Sequence, residues 1–286
     1  MAGIPVENFP CISSISACFI LSVVYVSSLY IWNSPHSRDH PTTIKKRFLS
    51  VFAMMFVSPL FLYMFSGCDV FDKNTIWELL GLRLPGILVA SILPLVLTMI
   101  LFLGPLAMQG RSGIWRLYAE PMYWVNNMLN LIWMRNHIVA PLSEEFTFRA
   151  CMLPLLLQCF RPNTAIFICP LFFGTAHFHH MAERLSHGME LKKALLLSCF
   201  QFSYTTMFGA YSAYLFVRTG HFIAPFMAHA FCNHMGFPDL SELYTYQEPQ
   251  RSVIMALCVV GLVLWCLLLD PLTTPSWYSN DVFYKM

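Results

Sequence analysis

The sequence predicts an all-α, multi-pass transmembrane helical bundle of about eight spans, with a polar cavity open to the cytosol. Apolar residue types make up 57% of the 286 residues and charged types only 11%, against roughly 25% charged residues in soluble domains. The apolar residues are concentrated in long uncharged runs, which are typical of helices that face lipid. Ionisable residues nevertheless occur inside some of these runs, and within a membrane such residues mark a site or a pathway.

Eight apolar runs, separated by Pro, Gly or charged residues, have the length of membrane helices. The predicted spans are residues 11–32, 49–66, 85–106, 142–160, 163–178, 194–217, 221–236 and 252–269. The first span is predicted to be retained, because no Lys or Arg precedes it as in a cleaved signal peptide. The sequence contains no internal repeat, so residues 1–286 are predicted to form a single membrane-embedded domain.

A ninth apolar stretch, residues 122–140, is predicted to be an amphipathic helix at the cytosolic interface or packed on the protein. Polar residues are dispersed through it, and burying them in hydrocarbon would cost several kcal/mol. These residues are Asn126, Asn127, Asn130, Arg135, Asn136 and His137.

Basic residues near the span ends predict the orientation, since positive charge is held on the cytoplasmic side. Four of them lie between the first two spans, which predicts a cytosolic loop at 33–48: Arg38, Lys45, Lys46 and Arg47. The loop 67–84 carries Asp69, Asp72 and Glu78 and is then expected on the opposite side.

Charge and cysteine usage limit the partners. A net charge of +2 is too small to indicate nucleic acid as a partner, which leaves the lipid bilayer as the predicted surroundings. The ten cysteines include no CxxC pair, so buried reduced thiols are favoured over disulfides or metal ligands. That interpretation is based on the cysteines inside apolar runs: Cys18, Cys159, Cys169, Cys199, Cys258 and Cys266.

The first polar cluster is Glu144-Glu145, followed by Arg149. On a helix, adjacent glutamates point about 100° apart and cannot share one role. Glu145 can pair with Arg149 four residues later, which leaves Glu144 to face a cavity. The alternative is helix-start chemistry, in which Ser143 caps a helix and both acids favour its positive end.

Two further clusters lie in later spans. Phe173 and His177 are four residues apart, so the phenyl ring can pack beside the imidazole. His229 and Asn233 have the same spacing in an apolar helix and need a polar partner or water; they can also serve as structural contacts between helices. In the predicted topology all four polar side chains, those of Glu144, His177, His229 and Asn233, converge at similar depth in a cavity open to the cytosol.

Three motifs in this order resemble the type II CAAX prenyl endopeptidases, in the wider group of ABI-type intramembrane proteases. They are Glu144-Glu145-Phe-Thr-Phe-Arg149, Phe173-Gly-Thr-Ala-His177 and His229-Ala-Phe-Cys-Asn233. The resemblance covers chiefly residues 140–237. It implies removal of the last three residues from prenylated CAAX proteins, such as Ras-like small GTPases, in the endoplasmic reticulum membrane.

The mechanistic hypothesis assigns general-base activation of water to Glu144, with His177 holding the water or shuttling its proton. His229 and Asn233 would donate hydrogen bonds to the oxyanion, worth about 3 kcal/mol per donor. Glu145, Arg149 and Phe173 would support these residues. No cofactor is expected.

Four alternatives remain open at this point. Glu144, His177 and His229 could be zinc ligands, although the HExxH pattern is absent. Cys232 could be a nucleophile. Glu and His within a membrane also build the proton relays of transporters, and a catalytically silent scaffold would keep the same architecture.

Overall fold

The computed structural model describes residues 11–32, 34–237 and 240–283, which contain helices and no strand. The principal helices are α1 (Cys11–Ser28), α2 (Pro41–Phe65), α3 (Ile87–Leu101), α4 (Leu103–Arg111), α5 (Pro121–Leu129), α6 (131–157), α7 (Pro162–Ala176), α8 (His179–Ser186), α9 (Leu191–Thr219), α10 (Ile223–Met235) and α11 (Gln250–Leu268). Short helical segments lie at Cys68–Lys73, Ile76–Leu79, Ile114–Tyr118, Leu240–Leu243, Pro271–Thr273 and Pro275–Tyr278.

Among the described residues, three helices are long and apolar enough to cross a membrane: α1, α2 and α11. The pair formed by α3 and α4, bent by 78°, adds a fourth if it is one broken span. Large apolar side chains are exposed along α2 and α11, as on Phe56, Met64, Val259 and Leu267. Apolar surface of this kind is covered by lipid in a membrane protein.

Each of the eight predicted spans is helical, but their number as true membrane crossings stays a prediction. Helix α7 has 15 residues and α10 has 13. At about 1.5 Å per residue they are roughly 22 and 20 Å long, which is shorter than a hydrocarbon core of about 30 Å.

Helix α6 corrects two expectations. It begins at residue 131, where the Asn130 side chain accepts hydrogen bonds from the backbone N–H groups of Ile132 and Trp133. The predicted boundary between the stretch 122–140 and the span 142–160 is absent, because a π-helical turn at Arg135–Val139 lies just before Pro141 and the helix continues through this proline. Residues 131–140 therefore belong to the motif helix, while α5 remains a separate helix with no buried residue.

The helix-start interpretation of Glu144 and Glu145 is wrong, because both lie in the middle of α6.

The cysteine expectation also needs a correction. Cys11, at the start of α1, forms a disulfide with Cys159, which follows α6, and their Cα atoms are 5.3 Å apart, within the usual range for disulfides. The prediction of a reduced thiol at Cys159 is therefore wrong, because composition cannot reveal which helix ends meet. Cys18 and Cys169 are free and buried as expected; three others are free but not fully buried, namely Cys199, Cys258 and Cys266.

Helix α11 packs closely on the bend between α3 and α4. A Cβ atom on Gly261 would lie 2.5 Å from the carbonyl oxygen of Ile100 and 3.1 Å from Cβ of Leu103. Small residues allow such close approach of helices in membranes.

We predict that Gly261→Val lowers the stability of the detergent-solubilised protein by about 1–3 kcal/mol, because the added side chain meets backbone that cannot yield. Thermal unfolding measures the effect. The matched control is Val260→Leu, since Val260 is exposed on the same helix. Equal midpoints for the two variants would contradict the close packing.

Candidate active site

Glu145 lies at the centre of the buried polar contacts of α6. Its side chain is fully buried, and Oε1 accepts hydrogen bonds from Nη1 of Arg149 at 3.1 Å and from Nδ1 of His229 at 2.7 Å. Oε2 accepts a third hydrogen bond from Oγ of Ser212 at 2.5 Å. The carboxylate thus joins α6 to α9 and α10.

Arg149 is fully buried beside Glu145. Its Cζ atom lies 4.3 Å from the ring centroid of Phe173 on α7, a cation–π contact. Gly209 on α9 leaves room for the guanidinium, because a Cβ atom there would be 2.9 Å from Nη2 of Arg149. A buried charge therefore positions α7 as well as α9 and α10 around α6.

Glu144 points in a different direction from Glu145, as their offset on a helix requires. Its side chain is 20% exposed, and its Oε2 lies 3.8 Å from Nε2 of His229. The two nitrogens of His229 thus face two different carboxylates. Glu144 lines a cavity, whereas Glu145 does not.

His177, at the C-terminal end of α7, lines the same cavity as Glu144. Its Nδ1 donates to the carbonyl oxygen of Phe173 at 2.8 Å. Because a carbonyl oxygen only accepts, Nδ1 carries the proton and Nε2 of the neutral ring is left as an acceptor. The rings of Phe173 and His177 are in contact edge to face, with centroids 4.7 Å apart.

Asn233 lies one helical turn beyond His229 and is exposed. Its Nδ2 donates to the backbone oxygen of Asn136 at 2.8 Å. Asn136 lines the cavity, but Asn233 and His229 do not. The structure therefore brings Glu144, His177 and His229 together and leaves Asn233 nearer the surface.

The cavity has a volume of about 150 Å³ and follows one face of α6. The α6 residues along it are Arg135, Asn136, Val139, Ala140, Ser143, Glu144 and Phe148. At the deep end, the hydroxyl of Tyr25 on α1 is hydrogen-bonded to Oγ of Ser143 at 2.9 Å. Sequence reasoning missed Tyr25 and Ser212, because an isolated hydroxyl in an apolar run carries no motif.

A charged layer lies at the other end of the cavity, the mouth. Arg38, Arg47 and Arg135 line it there. Arg47 and Arg38 contact Glu183 of α8, with N–O distances of 3.2 and 3.5 Å, and Arg135 is 2.8 Å from Asp39. Hydrogen bonds from His180, Tyr30 and Arg47 hold the pKa of Glu183 well below its usual range, so this carboxyl is ionised at neutral pH.

The contacts of the polar side chains also bear on the zinc alternative. Within the described ranges, no group of three His, Cys, Asp or Glu side chains is arranged to hold a metal ion. Nδ1 of His229 is already bonded to Glu145, which leaves Nε2 as its only nitrogen for another partner. A carboxylate on the other ring nitrogen is also typical of metal-binding histidines, so this contact by itself does not argue against zinc.

Comparisons with known proteins agree on one family. Residues 126–235 match the family model "Type II CAAX prenyl endopeptidase Rce1-like". The chain is 44% identical to the CAAX prenyl protease 2 of Homo sapiens over 94% of this chain and 84% of the human protein. It is 39% identical to the protein of the same name from Rattus norvegicus, over 96% and 85%, and 31% identical to that from Arabidopsis thaliana, over 94% and 92%. No solved structure matches the chain.

We predict that Glu145→Gln or Arg149→Met alone destabilises the protein by about 3–5 kcal/mol, since each leaves one buried charge without its partner. The double variant should recover much of this loss. Chemical unfolding followed by tryptophan fluorescence measures the cycle. If the losses of the two single variants simply add in the double variant, the pair is not coupled.

Proposed function

Because the chain belongs to the type II CAAX prenyl endopeptidase family, we propose that it removes the C-terminal tripeptide from prenylated CAAX proteins, such as Ras-like small GTPases. The protein is a membrane protease of the hydrolase class. One observation carries the proposal for the site: Glu144 and His177 line the same small cavity inside an apolar helix bundle, and Glu144 is 3.8 Å from His229.

The surroundings of the cavity support a lipidated substrate. Apolar side chains cover the outside of the bundle, so a prenyl chain can remain in the bilayer, where each buried CH₂ contributes about 0.8 kcal/mol. The peptide that follows the prenylated cysteine has a polar backbone and a charged C-terminus, and it can enter the cavity between α1, α2, α6 and α7. The prenyl chain therefore stays in lipid while the peptide bond is cleaved in the cavity.

In the proposed mechanism, the Glu144 carboxylate removes a proton from a water molecule, and the resulting hydroxide attacks the scissile carbonyl carbon. Nε2 of His177 accepts a hydrogen bond from the same water and orients it. When the tetrahedral intermediate collapses, the C–N bond breaks and the proton held by Glu144 passes to the leaving amine. One water is consumed, and no cofactor takes part.

His229 can donate a hydrogen bond to the oxyanion only in one protonation state. Nδ1 already donates to Glu145, so Nε2 can donate only when both ring nitrogens carry a proton. Because Glu145 is already paired with Arg149, the Glu144 carboxylate, 3.8 Å from Nε2, compensates the positive charge of that form. Asn233 has one amide N–H bonded to the oxygen of Asn136, and its second N–H is the proposed oxyanion donor.

We predict that Glu144→Gln, His177→Ala, His229→Ala and Asn233→Ala each lower the cleavage of a farnesylated CAAX peptide by at least about 100-fold, because each removes a group that acts on the transition state. Release of the terminal tripeptide by folded, purified protein is the measurement. Cys232→Ala is the matched control on α10 and should retain activity. Normal turnover by Glu144→Gln would contradict the proposed mechanism. Purified protein that contains zinc and loses its activity with a chelator would favour the metalloenzyme alternative.

The proposed location is the endoplasmic reticulum membrane, with the cavity open to the cytosol. Arg38, Lys45, Lys46 and Arg47 lie in one segment of the chain, and two of them, Arg38 and Arg47, line the cavity mouth, which supports this orientation.

An epitope inserted after Ser37 should therefore react with antibody in sealed endoplasmic reticulum vesicles. An epitope after Lys73, in the acidic loop, should react only after detergent treatment. The opposite pattern would reverse the orientation.

A further inference from the structure

The charged mouth of the cavity contains more positive than negative groups. Three guanidinium groups line it, those of Arg38, Arg47 and Arg135, and two carboxylates contact them, those of Asp39 and Glu183. The side chains of Arg47 and Arg135 are only 18% and 15% exposed, so they are part of the cavity wall rather than of a solvated surface. The mouth thus has one more positive group than negative groups.

Both of these arginines retain unused donors. Within the described part of the chain, Arg47 donates from Nη2 alone, to Glu183. Arg135 donates from Nε to Asn136 and from Nη1 to Asp39 and the oxygen of Arg38. A guanidinium has five N–H donors in a planar fork that matches a carboxylate, so each can bind a further anionic oxygen.

The separation of this mouth from Glu144 corresponds to the length of a tripeptide. Arg135 and Glu144 are nine residues apart in one continuous helix, which is about 13 Å along its axis. Three extended residues span at most about 10–11 Å, and a hydrogen bond from a guanidinium adds about 3 Å. A peptide with its scissile carbonyl at Glu144 therefore brings its terminal carboxylate to Arg135.

We propose that Arg135 and Arg47 bind the terminal carboxylate of the substrate peptide and so set the cleavage position three residues from the chain end. The inference rests on the proposed function. Glu183 acts as a positioning residue, because its carboxylate holds the Arg47 side chain against the cavity. Leu29 and Val139 beside the two arginines are apolar, and both line the cavity, so the charge attraction acts with reduced screening.

The test compares two farnesylated peptides that differ only at the C-terminus, one a free acid and one a carboxamide. Full-length wild-type protein should cleave the carboxamide with a kcat/KM about 10- to 100-fold lower, since a hydrogen bond to a charged group is lost. The loss should be mainly in KM, because the carboxylate is bound equally in the ground state and the transition state. Equal cleavage of the two peptides overturns the proposal.

Variants then assign the effect to residues. Arg135→Gln and Arg47→Gln should each lower cleavage of the acid to about the level of the carboxamide and leave cleavage of the carboxamide unchanged. An equal loss for both peptides would show a purely structural role and would overturn the proposal. Arg135→Lys, which retains the charge, should keep part of the preference for the acid.

Two controls separate other causes. Asp39→Asn breaks the same ion pair as Arg135→Gln but retains the guanidinium, so it should keep the preference for the acid. Arg116→Gln removes an exposed arginine away from the cavity and should change nothing. Loss of the preference in either control contradicts the assignment.

A phosphate of a lipid headgroup is the other anion that this mouth could bind. The assays are therefore run both in dodecyl maltoside, a detergent without phosphate, and in phosphatidylcholine vesicles. A defect of Arg135→Gln that is the same in detergent and in vesicles supports the peptide carboxylate, and a defect seen only in the phosphate-containing vesicles overturns it. If wild-type protein cleaves neither peptide, the proposed function fails and this inference with it; cleavage of both peptides at equal rates removes only the carboxylate site.

Discussion

The arrangement of the polar side chains depends on one buried carboxylate. Glu145 has no contact with solvent and accepts hydrogen bonds from Arg149, His229 and Ser212. An ionised group in an apolar interior is tolerated only when it is paired and hydrogen-bonded. The helices that supply these partners therefore cannot move independently without exposing a charge to hydrocarbon. The same contacts fix the ring of His229 with Nε2 directed at Glu144, so the geometry of the proposed site follows from the folding constraint.

One charged layer lies behind the deep end of the cavity and another lies at its mouth, and the two have different roles. At the deep layer, Glu145 and Arg149 compensate each other and are sealed, while Glu144 remains partly exposed. At the mouth, arginines outnumber their carboxylate partners and keep donors unused. Between the two layers the cavity is lined mainly by apolar side chains, which offer the backbone of a bound peptide few hydrogen-bond partners. A peptide with a lipid at one end and a negative charge at the other fits this order of surfaces.

The sequence predicted the helical membrane fold and the division between Glu144 and Glu145, because side-chain direction on a helix follows directly from spacing. It failed where tertiary contacts decide the outcome. Nothing local in the sequence shows that Cys11 meets Cys159, or that Asn130 rather than Ser143 caps the motif helix. The sequence alone indicates membrane orientation for Arg38 and Arg47 and an amphipathic helix for Arg135. Because Arg47 and Arg135 lie far apart in sequence, only packing brings them to one cavity. The catalytic roles of Glu144, His177, His229 and Asn233 stay predictions.

The π-helical turn at Arg135–Val139 explains how a single helix can line the whole cavity. In a regular α-helix of 3.6 residues per turn, a row of residues at i, i+4 and i+8 drifts by about 40° at each step. A π-turn has roughly 4.4 residues per turn, so the same row drifts back by a similar angle. Placing one π-turn before the α-helical turn at Ala140–Glu145 thus keeps the row Asn136, Ala140 and Glu144 nearly straight. A straight row can border an extended peptide, whereas a drifting row would lead it out of the cavity. The wide turn therefore accommodates Pro141 and also keeps the mouth in line with Glu144.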